Sequence, residues 1–148
     1  MPARHKAEER LERSIIRRDF DASFMSDTKW RKLFAALDRP DLELTQCIVK
    51  FVDVEREHRI AAPRSIALHP PRPYVDTPEF GPVTLRSIEW LEFPALAEWP
   101  QRDHVPARIV PQDIERARTI IEALGRYPVE ETKRGIRIVG HQRRRSST

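Results

Sequence analysis

Asp53, Glu55 and Glu57 alternate along the chain, and His58 follows them. Alternate residues of an extended segment share one side, so a continuing strand would gather three carboxylates and an imidazole. Carboxylate oxygens suit a hard divalent cation, and imidazole suits a borderline one. Magnesium held by carboxylates at a strand end is nuclease chemistry, so Asp53, Glu55 and His58 are the candidate ligands of a metal-dependent hydrolase or nuclease. The competing reading is a solvated strand end, because Arg56 and Arg59 stand beside the acids.

Other chemistry is thinner. None of His5, His58, His69, His104 and His141 has a helical i,i+4 partner or a Cys/His zinc spacing. His69 precedes a proline run where a site could sit, while His5 and His141 fall in expected flexible ends. No Gly-x-Ser-x-Gly nucleophile turn occurs, and four glycines make no phosphate-cradling loop. Glu131-x-Lys133 has the acid-x-lysine form of some nucleases, a triplet common in charged chains. The lone Cys47 lies in the apolar run Cys47-Ile48-Val49, which reads as a buried structural thiol. No cofactor is implied.

The elements that must position these residues are legible in outline. Ala7, Leu11 and Ile15 fall at helical spacing, with Ile16 widening the stripe. Residues 1–22 therefore read as a peripheral N-terminal helical extension, broken at Asp19–Ser23. Ser26-Asp27-Thr28 offers helix caps, and Trp30, Leu33, Phe34 and Leu37 follow as an apolar face, stopped by Pro40. Residues 45–54, β-branched and apolar on both faces, predict a central strand. Ten of the thirteen prolines fall in residues 63–111. Proline removes a ladder donor, so only short strands are expected there, over Ser65–His69 and Leu85–Phe93. On the second, Ile88 and Trp90 would point one way, Leu91 and Phe93 the other. Residues 94–110 read as an irregular loop. Pro111 opens a last helix bearing Ile114, Ala117, Ile120, Ile121 and Leu124, ended by Gly125. Residues 135–140 alternate as a final strand, and 141–148 read as a disordered basic tail. The fold class is α+β: a small, mostly antiparallel sheet of three to five strands with helices on one face and a Pro-rich irregular middle. Residues 23–140 form its one domain.

Charge narrows the function classes. Residues 126–148 carry seven Lys/Arg against two Asp/Glu, whereas residues 23–125 carry fourteen against sixteen. The net charge of +4 thus belongs to the C-terminal end. A nucleic-acid-binding domain should carry its basic patch on the folded part, so nucleic-acid contact is expected only as a weak contribution of Arg143, Arg144 and Arg145. The charged N-terminus has no signal-peptide pattern, and no apolar run reaches membrane-spanning length. The expected location is the cytoplasm.

Met25-Ser-Asp-Thr-Lys-Trp-Arg-Lys-Leu-Phe34 and Ser87-Ile-Glu-Trp-Leu-Glu92 resemble a small bacterial family of unknown function. That family has a Thr-Lys-Trp helix near its start and an Ile-Glu-Trp strand later on. The resemblance implies a relative and no activity, and core packing alone would account for both tryptophans. The remaining feature is the stiff proline-rich stretch, which offers Arg72, Tyr74, Phe80 and Trp99. Arginine and aromatics on a pre-stiffened loop suit protein recognition, because little entropy is lost on binding; the equal alternative is that these aromatics fold back on the sheet and close the core. The expected function is a non-enzymatic protein-binding module, of which a toxin-blocking immunity protein would be one kind. The metal-dependent enzyme and the nucleic-acid accessory protein are the alternatives.

Overall fold

A computed structural model describes residues 2–68 and 72–145, with side chains from residue 7 onward. His69, the side chain of His5, and residues 146–148 of the expected tail lie outside it.

Helix α1 (Pro2–Asp19) runs directly into strand β1 (Phe20–Ser23). Helix α2 (Asp27–Leu37) is capped by the Ser26 hydroxyl, which accepts the Lys29 N–H. It buries Trp30, Leu33, Phe34 and Leu37, the four residues whose spacing predicts one apolar face. Strands β2 (Gln46–Phe51), β3 (His58–Ala61), β6 (Ile88–Pro94), β9 (Val129–Glu131) and β10 (Gly135–Val139) form an antiparallel sheet in the order β3-β2-β6-β10-β9. Helix α3 (Ile114–Leu124) is capped by Asp113, whose carboxylate accepts the Arg116 N–H, and begins three residues later than Pro111 predicts.

The core lies on one face of this sheet. Cys47, Val49, Phe51, Ile60, Leu91, Phe93, Ile136 and Ile138 pack there against α2 and against Ile114, Ala117 and Ile121 of α3. Helices on one face of a mostly antiparallel sheet are the α+β arrangement the element order predicts.

Several elements differ from the sequence reading. Ser65–Leu68 forms a 3-10 turn, not a strand. Its start is tied to Asp38, whose carboxylate accepts from the Ser65 N–H and hydroxyl at 2.8 and 2.7 Å. Residues 94–110 are not wholly irregular: β7 (Leu96–Trp99) pairs with β8 (Arg108–Pro111) as a hairpin. The proline-rich middle also forms a hairpin, β4 (Tyr74–Thr77) with β5 (Gly81–Thr84). Short strands satisfy their backbone groups between prolines where long ones would fail.

In β6, Glu89 is an extra residue. Lys50 pairs with Trp90, but Phe51 pairs with Ile88. This bulge brings Ile88 to the core side with Leu91 and Phe93, while alternation keeps Trp90 on the other face. Core packing therefore explains Trp30 and not Trp90.

The expected disordered tail is ordered at its start. Strand β11 (His141–Arg143) pairs antiparallel with β1, and His141 is buried. Within Asp19–Ser23, expected only to break a helix, Phe20–Ser23 is the strand that receives it. The apolar stripe of α1 stays largely out of the core, with Leu11 exposed and Ile15 and Ile16 half-buried.

Candidate functional site

The hairpin β4–β5 has a tight tip, Pro78-Glu79-Phe80, followed by Gly81 at φ 68°. The Thr77 hydroxyl accepts the Phe80 N–H at 2.9 Å and donates to the Gly81 carbonyl at 3.0 Å. Positive φ suits glycine, and this turn aims the Phe80 ring back at the sheet. Phe80 meets His58 edge-on at 5.0 Å between centroids and Phe51 at 5.8 Å. Arg72 lies 4.7 Å over the Tyr74 ring and approaches its hydroxyl at 3.3 Å. Its carbonyl accepts from Arg31 of α2 at 2.9 Å. Arg72 thus serves to fix Tyr74.

Helix α1 closes the other side. Glu12 receives the Thr84 hydroxyl at its two carboxylate oxygens, 3.0 and 2.9 Å away. Between helix, hairpin and the end of β2 lies a cavity of about 550 Å³. Tyr74, Phe80, Phe51 and His58 give it aromatic walls, and Glu12 and Asp53 face it, with Glu8 and Glu9 at the helix side. Burial pushes the Glu12 carboxyl above its ordinary range, more than the Thr84 hydrogen bond and Arg86 pull it down, and Asp53 and Glu9 push it further. At Glu12 burial outweighs the pull of Thr84 and Arg86, a setting that favours an incoming cation. Aromatic faces attract cations as well.

The residues proposed from sequence divide in this structure. Tyr74, Phe80, Asp53 and His58, drawn from two rival readings, line one cavity. Glu55 is exposed and does not line it, because β2 stops at Phe51 and the alternation that would align the acids is lost. The stop is set by tertiary hydrogen bonding, since the Val52 N–H turns to the Ser87 carbonyl at 2.8 Å. Among the described residues no three of His, Cys, Asp and Glu gather as a metal would require.

Glu57 is taken elsewhere. Arg134 holds it bidentately at 2.6 and 3.1 Å, which keeps its carboxyl below the usual range. The same guanidinium reaches Glu92 at 2.6 Å. Glu92 has no exposed side-chain surface and also pairs with Arg137 at 3.1 Å. Arg137 in turn lies 3.8 Å over the Trp90 ring. These groups occupy the sheet face opposite the helices as a closed ionic network. Glu131 is similarly engaged, by Arg118 at 2.9 Å.

Trp99 sits apart, on β7, facing a separate hollow beside Arg108 and Val110. His104 is exposed in the loop between β7 and β8. Two of the tail arginines are already engaged: Arg143 with Glu89 at 2.8 Å and Arg144 with Asp21 at 3.7 Å.

Sequence reasoning missed Glu12, Thr84 and Phe51 as cavity residues. The only signal was the clustering of Glu8, Glu9 and Glu12 on the polar side of α1, and nothing in the order of residues says which hairpin that side meets.

Residues 12–145 match the model of a family described as a family of unknown function, DUF6678. No curated protein and no solved structure matches the chain. Among the described residues no helix is long and apolar enough to cross a membrane.

Proposed function

We propose that this chain, which belongs to the DUF6678 family of unknown function, is a protein-binding module whose acid-lined aromatic cavity receives a lysine or arginine side chain of a partner protein. The observation that carries this reading is the convergence of Tyr74, Phe80, Asp53, His58 and the half-buried Glu12 on one cavity. A guanidinium or ammonium entering there would meet carboxylate on one side and ring faces on the other. Desolvated cation–π contacts contribute about 2 kcal/mol each. The hairpin is held by its own turn and by Arg72, so binding orders little further chain. A partner that presents a basic segment to a small acidic blocker is the immunity-like version of this function. The metal-enzyme reading is less well supported, because Asp53 and His58 share the cavity without Glu55.

The test is calorimetric titration of short lysine- and arginine-bearing peptides into the wild-type chain, Asp53→Lys and Phe80→Ala, at low and physiological salt. Binding by the wild type, weakened about tenfold or more in each variant (about 1.4 kcal/mol), is the expected result. Equal binding by Asp53→Lys and wild type, or no binding of any cationic peptide, overturns the proposal.

A further inference from the structure

A second cavity, of about 830 Å³, lies on the other side of α1 and is as basic as the first is acidic. Arg10, Arg13 and Arg17 border it from the helix, Arg86 from the chain before β6, and Ser26 and Asp27 from the start of α2. Among the described residues no ion pair within 4.0 Å joins Arg13, Arg17 or Arg86 to a carboxylate, and Arg86 acts on Glu12 only through space. The N-terminal end of α2 adds positive potential.

Ser23 and His141 complete the wall, brought together by the pairing of β1 with β11. The Ser23 Oγ is 2.7 Å from His141 Nδ1, and His141 Nε2 is 2.7 Å from the Arg86 carbonyl oxygen. A carbonyl only accepts, so Nε2 carries the ring hydrogen and Nδ1 presents a lone pair. The Ser23 hydroxyl must then donate to Nδ1. Its remaining lone pairs are left for other partners, and Ser23 itself is exposed while His141 is buried. A serine whose proton is tied to a buried imidazole, itself oriented by a third group, has the relation of nucleophile, base and orienter.

We infer that Ser23 is a nucleophile activated by His141 for hydrolysis of a carboxylic ester that bears an anionic group, with Arg13, Arg17 and Arg86 holding that charge. The Ser23 proton passes to Nδ1 as Oγ bonds to the ester carbonyl carbon. Collapse of the adduct breaks the ester C–O bond, and the departing alkoxide takes the proton from Nδ1. Water then repeats the relay, releasing the acid and restoring Ser23. The Arg86 carbonyl is a positioning group, since it acts only through the ring it orients. His141, expected in a flexible end, is held in strand β11 by the fold.

The inference is tested with the full chain and a fluorophosphonate probe, followed by mass spectrometry, alongside hydrolysis of a nitrophenyl hemisuccinate and the neutral nitrophenyl acetate. An adduct on Ser23 is expected, lost in His141→Gln, together with hemisuccinate turnover that falls at least about 100-fold in Ser23→Ala. Arg86→Ala should lower kcat/KM for the hemisuccinate by about tenfold more than it lowers kcat/KM for the acetate. Circular dichroism verifies that His141→Gln and Ser23→Ala fold. No adduct on Ser23 in the wild type, or Ser23→Ala hydrolysing as fast as wild type, overturns the inference. Ser23→Ala should leave cationic-peptide binding intact, so the two cavities fail or succeed separately.

Discussion

Glu92 shows most clearly how a single side chain constrains its surroundings. A fully buried carboxylate is tolerated only when paired, and here Arg134 and Arg137 hold it from two directions. Removing both arginines strands the charge, so Arg134→Ala with Arg137→Ala should cost about 3–5 kcal/mol in urea denaturation. Glu92→Met removes the charge with its desolvation penalty and should cost clearly less than the arginine pair. A larger loss for Glu92→Met would show that the network stabilises by attraction and not by avoiding a stranded ion. Cys47 supplies a second residue-scale prediction. It is fully buried in the core, and burial pushes its thiol far above the ordinary range. Reactivity follows the thiolate, so iodoacetamide should modify Cys47 only as fast as the protein unfolds. Rapid native-state modification would contradict its packing.

Between elements, two junctions govern the fold. Gly135 and Gly140 flank β10, and each has sheet backbone where a side chain would begin. A Cβ on Gly135 would collide with the Phe93 carbonyl, and one on Gly140 with the Ile88 carbonyl. Gly140 also links β11 to the sheet, donating to the Glu89 carbonyl at 2.7 Å and accepting from the Phe24 N–H at 2.9 Å. Gly140→Ala should therefore destabilise the chain and loosen the β1–β11 pair, read as lower protection of the Phe24 amide in hydrogen exchange. The other junction is α2 against the sheet. Trp30 is buried and stacks with Phe34 at 5.7 Å, so Trp30→Ala should cost about 3–5 kcal/mol by loss of contact and cavity formation.

Across the whole molecule, pH reads the balance of buried charge. Burial holds the His141 imidazole below its ordinary value, against the opposing pull of the Arg86 carbonyl and Glu89. The unfolded chain therefore binds a proton at His141 before the folded chain does. Stability from this residue is complete above about pH 6.5 and declines as pH falls below it. Glu12 acts in the opposite sense. Its raised folded value lets the folded chain take up a proton first, so acidification toward its ordinary range favours folding. In a Glu12→Gln background, urea midpoints should fall between pH 7.5 and 5.5, and adding His141→Gln should flatten that slope. A slope unchanged by the second substitution would mean that His141 is not buried as a neutral ring. The carboxyls held low, Asp38 by Ser65 and Glu57 by Arg134, lose their contribution only at more acidic pH and do not interfere in this window.

What the sequence determined by itself was local. The apolar face of α2, the face of α3, the central strand through Cys47 and the α+β class all follow from periodicities of 3.6 and 2, because a side chain's direction is set by its neighbours in the chain. The resemblance to a family of unknown function agrees with the family model that covers residues 12–145. Tertiary structure alone decided which distant segments meet. It ended β2 at Phe51 and so scattered Asp53, Glu55 and Glu57. It used the Glu89 bulge to turn Ile88 into the core, away from Trp90, joined Ser23 to His141 across most of the chain, and set Glu12 opposite Tyr74 and Phe80. Each depends on the register of strands and the docking of a helix. Those are resolved by the summed packing and hydrogen bonding of the whole fold, for which no short stretch of residues carries the energy.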